Sequence, residues 1–304
     1  MAHDHHHEHH HHHQHQHELS SLNKAFIIGI GLNVAFVVVE FVAGFWYNSL
    51  GLISDAGHNL GDVASLVLAM LAFRLAKVHA NTKYTYGYKK STVLVSLLNA
   101  VILLVAVGFI FGESVEKLFH PRPVDGDAVA WVAGAGVLVN AFTAWLFLKD
   151  KEKDLNVKGA YLHMAADALV SVGVVISGII IAYTGWYIID PIIGILIALV
   201  IVYSTWGLLR DSLRLSLDGV PAGTNYEEIG KVIEAEPGVK SFHHMHIWAL
   251  STTETALTVH VVIGRTDDME KIKCGLKQKL QEAGIGHATL EFETPGKHCN
   301  EGCC

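Results

Sequence analysis

Six apolar stretches, at roughly 24–47, 51–73, 91–112, 128–148, 159–183 and 188–209, dominate this chain of 304 residues. Each is close to the ~20 residues that a helix needs to cross the hydrocarbon layer of a bilayer. Ser91–Gly112, Ala128–Leu148 and Pro191–Leu209 contain no Asp, Glu, Lys, Arg or His. Gly, Ala, Ser and Thr recur in them, as expected where helices approach closely in lipid. The pattern predicts six transmembrane helices.

Composition agrees. Half of the residues are hydrophobic (51%) and only 17% are charged, below the roughly 25% of a soluble globular chain. The formal net charge of -7 argues against nucleic acid as a partner. Four cysteines, three of them among the last six residues, do not make a secreted disulfide framework. Histidine is the outlier: eleven of the 21 lie in the first seventeen positions. Composition therefore points to a membrane protein that handles a metal.

The chain divides into three parts. Residues 1–22 form a His-rich tail with no apolar period, expected to be disordered without metal and to face the cytoplasm. An affinity tag is one reading of it, but the interspersed Asp4, Glu8, Gln14, Gln16 and Glu18 argue against a simple tag. It lacks the basic start and short apolar run of a signal peptide. Residues 23–209 form the six-helix transmembrane domain. Residues 210–304 form a soluble domain with a Cys-rich end.

Lys and Arg set the orientation. Connection 74–90 holds Arg74, Lys77, Lys83, Lys89 and Lys90, connection 149–158 holds four lysines, and Arg210 and Arg214 follow the sixth span. The opposite loops hold only Lys117 and Arg122. The positive-inside rule then places both termini in the cytoplasm, in a multi-pass protein of the inner membrane. In the last third, Tyr226–Glu236 reads as a helix, Ser241–Leu250 and Thr255–Ile263 as strands, Met269–Ala283 as a helix and Ala288–Glu293 as a strand. That order predicts a small α+β domain with its helices on one face of a three-stranded sheet.

Ionisable side chains inside a span are expensive, so each one points to function. The second span carries His58 and Asp62, and the fifth carries His163 and Asp167. Residues four apart on a helix share a face. One such pair could be a structural hydrogen bond; the same spacing in two separate spans is a ligand set. Two helices packed face to face would offer two imidazoles and two carboxylates, a tetrahedral set suited to Zn²⁺. The carboxylates neutralise the dication in a region of low dielectric. Among the other polar residues of the spans, Asn99 and Asn140 read as helix-packing groups. Glu40 and Asp55 could relay protons or orient the histidines, and Asp190 before Pro191 could cap a helix.

A second cluster lies in the C-terminal part. SFHHMHIWAL carries His243, His244 and His246, the next strand carries His260, and His287 and Glu293 flank the last strand. His298, Cys299, Cys303 and Cys304 follow. Strand alternation puts His244 and His246 on one face and His243 on the other, so they cannot all ligate one ion. At least one metal site is expected in this domain.

SLGLISDAGHNLGDV, YTYGYKK, NVKGAYLHMAADALVSVGVVI, DPIIGILIALVIVY and HHMHIWALS together resemble the cation diffusion facilitator family, in its zinc-transporting branch of bacterial-type zinc/proton antiporters. The resemblance covers about residues 20–293 and implies an all-α domain of six transmembrane helices with a metallochaperone-like αββαβ cytoplasmic domain, as a homodimer. It implies that His58, Asp62, His163 and Asp167 are the transport site. It also implies that His243, His260 and Glu293 bind zinc in the cytoplasmic domain, where ions help hold two protomers together. Family members often have a histidine-rich loop between helices four and five. Here KDKEKDLNVK has no histidine, and the histidines sit at the N-terminus.

The expected function is export of Zn²⁺, with Cd²⁺ and Co²⁺ as further candidates, in exchange for protons. Metal ligands must shed protons to bind, so binding releases them. A passive channel and a membrane-anchored zinc sensor or buffer are the rival readings. An intramembrane hydrolase would need an open metal position and a nearby general base, and neither HxxxD segment supplies that base; the protein is not expected to be an enzyme.

Overall fold

The structure, a computed structural model, describes residues 12–46, 50–119, 127–186 and 188–295, without the side chains of 12–23, 44, 50–55, 57, 58, 127–133, 174, 177, 178, 181, 182 and 190. Six long helices come first: α1 His12–Trp46, α2 Leu50–Ala76, α3 Ser91–Phe119, α4 Asp127–Leu148, α5 Leu155–Thr184 and α6 Ile189–Ser216. Among the described residues, Lys24–Ala43, Asn59–Ala76, Ser91–Phe119 and Pro191–Ser216 are long and apolar enough to cross a membrane, and Gly134–Leu148 is a shorter apolar helix. This is the helical transmembrane domain of an integral membrane protein.

Helix α1 shows how an apolar sequence still encodes a face. Phe26, Gly29, Asn33, Phe36 and Glu40 are buried, while Val34, Val38, Val39, Phe41 and Val42 point outward. The buried positions recur every three to four residues, the period of one helix face. Lipid tails satisfy the outward valines, so hydrophobicity alone does not separate the two faces. On the inner face Phe26 stacks on Phe147 with ring centroids 4.8 Å apart, and Asn33 Nδ2 donates to Thr143 Oγ1 at 3.2 Å. Both ties join α1 to α4. The helix also begins at His12, inside the tail that the sequence reading expects to be disordered. A helix already nucleated by its apolar part extends into flanking residues at little cost, because each added residue gains a hydrogen bond. Residues 1–11 of the tail lie outside the described residues.

The chain forms two compact units, one built from residues up to Leu71 with Ile102–Lys153 and Val157–Thr205, the other from Ala72–Val101, Asp154–Asn156 and Trp206 onward. The second unit therefore includes the end of α2, the start of α3 and the first turn of α5, besides the C-terminal domain. Polar contacts of the basic connections explain this. Lys90 Nζ donates to the carbonyl oxygens of Leu215 and Ala249 at 2.9 and 3.1 Å and pairs with Asp218 at 2.5 Å. Lys89 Nζ grips both oxygens of Glu254, at 2.8 and 2.6 Å. Asp154 accepts from the Asn156 backbone N–H at 2.7 Å and from the Thr252 hydroxyl. Asn156 Nδ2 donates in turn to Thr92 O at 3.0 Å. Gly87, in the turn before these lysines, has φ +69, and a Cβ there would lie 2.8 Å from Val78 O; only glycine fits.

The C-terminal domain runs α7 Tyr226–Glu234, β1 Val239–Ala249, β2 Thr255–Ile263, a short 3-10 turn, α8 Met269–Glu282 and β3 Ile285–Glu293. Asn225 caps α7, its side chain accepting from the N–H groups of Glu227 and Glu228. The strands stand in the order β1-β2-β3. β1 and β2 pair antiparallel through the connection 250–254, and β3 pairs parallel to β2 after the α8 crossover. Leu257, Val259, Val261 and Ile263 of β2 pack with Ile229 and Ile233 of α7 and with Ile272, Leu276 and Leu280 of α8. Both helices thus cover one face of the sheet, and the other face is left for polar side chains.

Candidate metal sites

α2 and α5 each present a buried stripe. On α2 it is Ala56, Asn59, Asp62, Leu66, Ala69 and Ala72; on α5 it is Asn156, Val157, Ala160, His163, Met164 and Ala166. Asp62 of one stripe meets His163 of the other. His163 Nε2 lies 2.5 Å from Asp62 Oδ1 and 3.8 Å from Asp167 Oδ2. Ligand atoms of Asp62, His163 and Asp167 all fall within 4.8 Å of one another. His163 is 6% exposed and Asp62 2%, so no bulk water solvates them. Asp62 Oδ2 is buried with no hydrogen-bond partner among the described residues. Leaving such an acceptor unsatisfied costs about 1–3 kcal/mol or more, which a bound cation would remove. His58 lies on α2 one turn before Asp62, with its side chain outside the described residues.

The sheet face away from the helices carries the second group. His243 of β1 pairs with His260 of β2, which pairs with Glu291 of β3, while Glu293 sits opposite Val262. His260 Nδ1 is 2.8 Å from Glu293 Oε1, and His243 Nε2 is 3.5 Å from the same oxygen. His260 Nε2 is 3.4 Å from Glu291 Oε2. Here the strand alternation expected from sequence is broken. The ladder slips one residue between His243 and His246, and His244 takes φ +49 at the bulge. An extra residue on one strand reverses the phase of everything beyond it. His243 and His246 therefore share a face. The His244 ring turns to within 4.9 Å of His243 and 5.3 Å of His260, centroid to centroid.

The structure thus brings together His243, His260 and Glu293, the three residues that the resemblance implies, and adds His244 and Glu291. Two candidate ligand trios emerge, His243–His244–His260 and His260–Glu291–Glu293, sharing His260. Glu291 was legible as the alternate-position partner of Glu293. His244 was not, because nothing in FHHMH marks a bulge. His246 is exposed, and His287 packs edge-on against Tyr86 at 5.5 Å; neither joins the cluster. His298, Cys299, Cys303 and Cys304 lie outside the described residues.

A bundle of apolar helices holding buried carboxylates and imidazole, followed by a small α+β domain, defines a membrane protein whose site suits a small cation. Residues 26–215 match the cation efflux transmembrane domain, and residues 221–293 match the cation efflux protein cytoplasmic domain. The chain belongs to the cation efflux family, also called the cation diffusion facilitators, which are transporters and not enzymes. It is 39% identical to the metal cation efflux system protein CzcD of Cupriavidus metallidurans, over 88% of this chain and 85% of that protein. It is 36% identical to the zinc transporter ZitB of Escherichia coli, over 90% and 89%. It is 32% identical to the cadmium, cobalt and zinc/H(+)-K(+) antiporter of Bacillus subtilis, over 89% of each chain.

Proposed function

We propose that this protein is a secondary active transporter that exports Zn²⁺ from the cytoplasm in exchange for protons, through a site formed by His58, Asp62, His163 and Asp167. The observation that carries the reading is the convergence of Asp62, His163 and Asp167 from two helices at a buried point. The names of the relatives, which include zinc, cadmium and cobalt transporters and an antiporter, support the same cargo class and extend it to Cd²⁺ and Co²⁺.

The short His163–Asp62 contact gives the exchange a physical form. An imidazole nitrogen and a carboxylate oxygen at 2.5 Å hold a proton between them, since two bare lone pairs would repel. Around a tetrahedral Zn²⁺, with Zn–N and Zn–O each near 2.0–2.2 Å, the same two atoms would stand about 3.3 Å apart. The ion and the bridging proton therefore compete for one place. Opened to the cytoplasm, the site loses its proton to bind Zn²⁺; opened outward, it regains one and releases the ion. Exporting two charges against 100 mV costs about 4.6 kcal/mol at ~2.3 per charge, so returning protons supply part of the driving force.

In this reading the protein lies in the inner membrane with both termini in the cytoplasm, which the lysine-rich connections support. In the C-terminal domain, His243, His260 and Glu293, with His244 and Glu291 beside them, bind Zn²⁺ and help hold a homodimer. Zinc flux in proteoliposomes, read with an internal zinc dye with and without a proton gradient, tests the mechanism. Gradient-dependent flux is expected. Flux indifferent to the gradient would establish a passive channel instead, and no flux at all a membrane-anchored sensor or buffer.

A further inference from the structure

Glu40 stands outside the four-ligand set, yet it is wholly buried in α1. Asn59 Nδ2 donates to Glu40 Oε2 at 2.7 Å, and Asn59 is itself only 5% exposed. On α2, Asn59 directly follows His58 and precedes Asp62 by three residues, which makes it a same-face neighbour of Asp62. A run of buried polar groups therefore leads from Glu40 on α1, through Asn59 and Asp62 on α2, to His163 and Asp167 on α5.

Packing alone does not call for a carboxyl at this position. Two turns earlier on the same stripe, Asn33 ties α1 to α4 with neutral groups only, through Thr143. An acidic group in a span is far more expensive than an amide. What the Glu40 carboxyl adds is a strong acceptor that fixes the Asn59 amide, and with it the turn of α2 that carries His58 and Asp62. Partners of this kind orient metal ligands, and their loss typically weakens metal affinity 10–100-fold.

We propose that Glu40 is a positioning residue of the transport site: by holding Asn59 it sets the rotation of α2 at which Asp62 faces α5. The inference rests on the transport-site reading above. The test uses the full chain in proteoliposomes, with Zn²⁺ as the probe, and measures KM and maximal rate for Glu40→Ala, Glu40→Gln, Asn59→Ser, Glu40→Ala with Asn59→Ser, and Asp62→Asn.

Glu40→Ala and Asn59→Ser should each raise KM about 10–100-fold, with a smaller effect on maximal rate. The double variant should be no worse than the poorer single one, because both remove one bond. Glu40→Gln should recover part of the KM lost in Glu40→Ala, since its amide oxygen accepts the same hydrogen bond from Asn59 but more weakly than a carboxylate. A purely structural role would reduce the amount of folded protein and leave KM alone. An unchanged KM in Asn59→Ser, multiplying effects in the double variant, or Glu40→Gln as poor as Glu40→Ala would each overturn the proposal. Should Glu40→Ala fail to fold, Asn59→Ser and Glu40→Gln decide it by the same criteria. Normal transport by Asp62→Asn would instead remove the site reading itself; an inactive Asp62→Asn beside a normal Asn59→Ser would sink only the role of Glu40.

Discussion

Asp62→Asn isolates the charge that the proposed transport site supplies. The amide has the size of the carboxyl and can still bond His163, whose Nε2 lies 2.5 Å from Asp62 Oδ1, so packing is preserved. What changes is the sum of charges. A dication held by Asp62 and Asp167 with two neutral imidazoles is electrically neutral; with Asn it carries one positive charge. Keeping one charge near the bilayer centre costs about 2.5–3.5 kcal/mol, which corresponds to an affinity loss of about 70- to 400-fold. The lost anionic ligand weakens binding further, so this is a lower bound. Titration calorimetry on the purified full chain reads the affinity, a zinc dye in proteoliposomes reads the flux, and an unchanged gel-filtration profile shows that the fold survives. Zinc affinity and flux matching the parent chain would exclude Asp62 as an anionic ligand, because no arrangement that uses its charge predicts that result.

Three further outcomes follow from the same geometry. His58→Asp replaces a borderline ligand by a hard one and should raise Mn²⁺ flux relative to Zn²⁺; an unaltered ratio would exclude His58 as a ligand. His260→Ala removes the side chain common to both C-terminal trios and should lower the number of zinc ions retained per chain, measured by elemental analysis, while zinc flux persists; full retention would contradict the C-terminal site. Leu257→Ala, at a fully buried position of the C-terminal core, should cost about 2–5 kcal/mol, seen as a lower melting temperature of that domain by circular dichroism. No shift would mean that this core does not hold the domain together.

The sequence reveals the transmembrane part through two periods. Apolar length marks the helices, and the four-residue spacing of His and Asp marks the face they share. Both signals are local, and local signals survive without a structure. What it hides depends on partners distant in the chain. Lys89 and Lys90 read as orientation charges, yet in the structure they bind Glu254, Asp218 and two carbonyl oxygens. Asp154 reads as a loop residue and proves to join the start of α5 to the β1–β2 hairpin. β3 starts at Ile285, three residues before the expected Ala288, because Gly286 and the exposed His287 mask the strand's beginning. The His243–His244–His260 grouping was illegible because a left-handed histidine carries no composition signal.

The bulge in β1 has a consequence for how this strand tolerates change. It holds one surplus residue, since His243 faces His260 and His246 faces Thr258. Excising His244 would let Met245 fall opposite Val259 and leave every flanking pair as it is. At most positions of a paired strand a deletion throws inner side chains outward, whereas here the shortened strand keeps its hydrophobic residues inward and forfeits a single imidazole. A one-residue deletion at this bulge is therefore absorbed without reversing the faces of the strand.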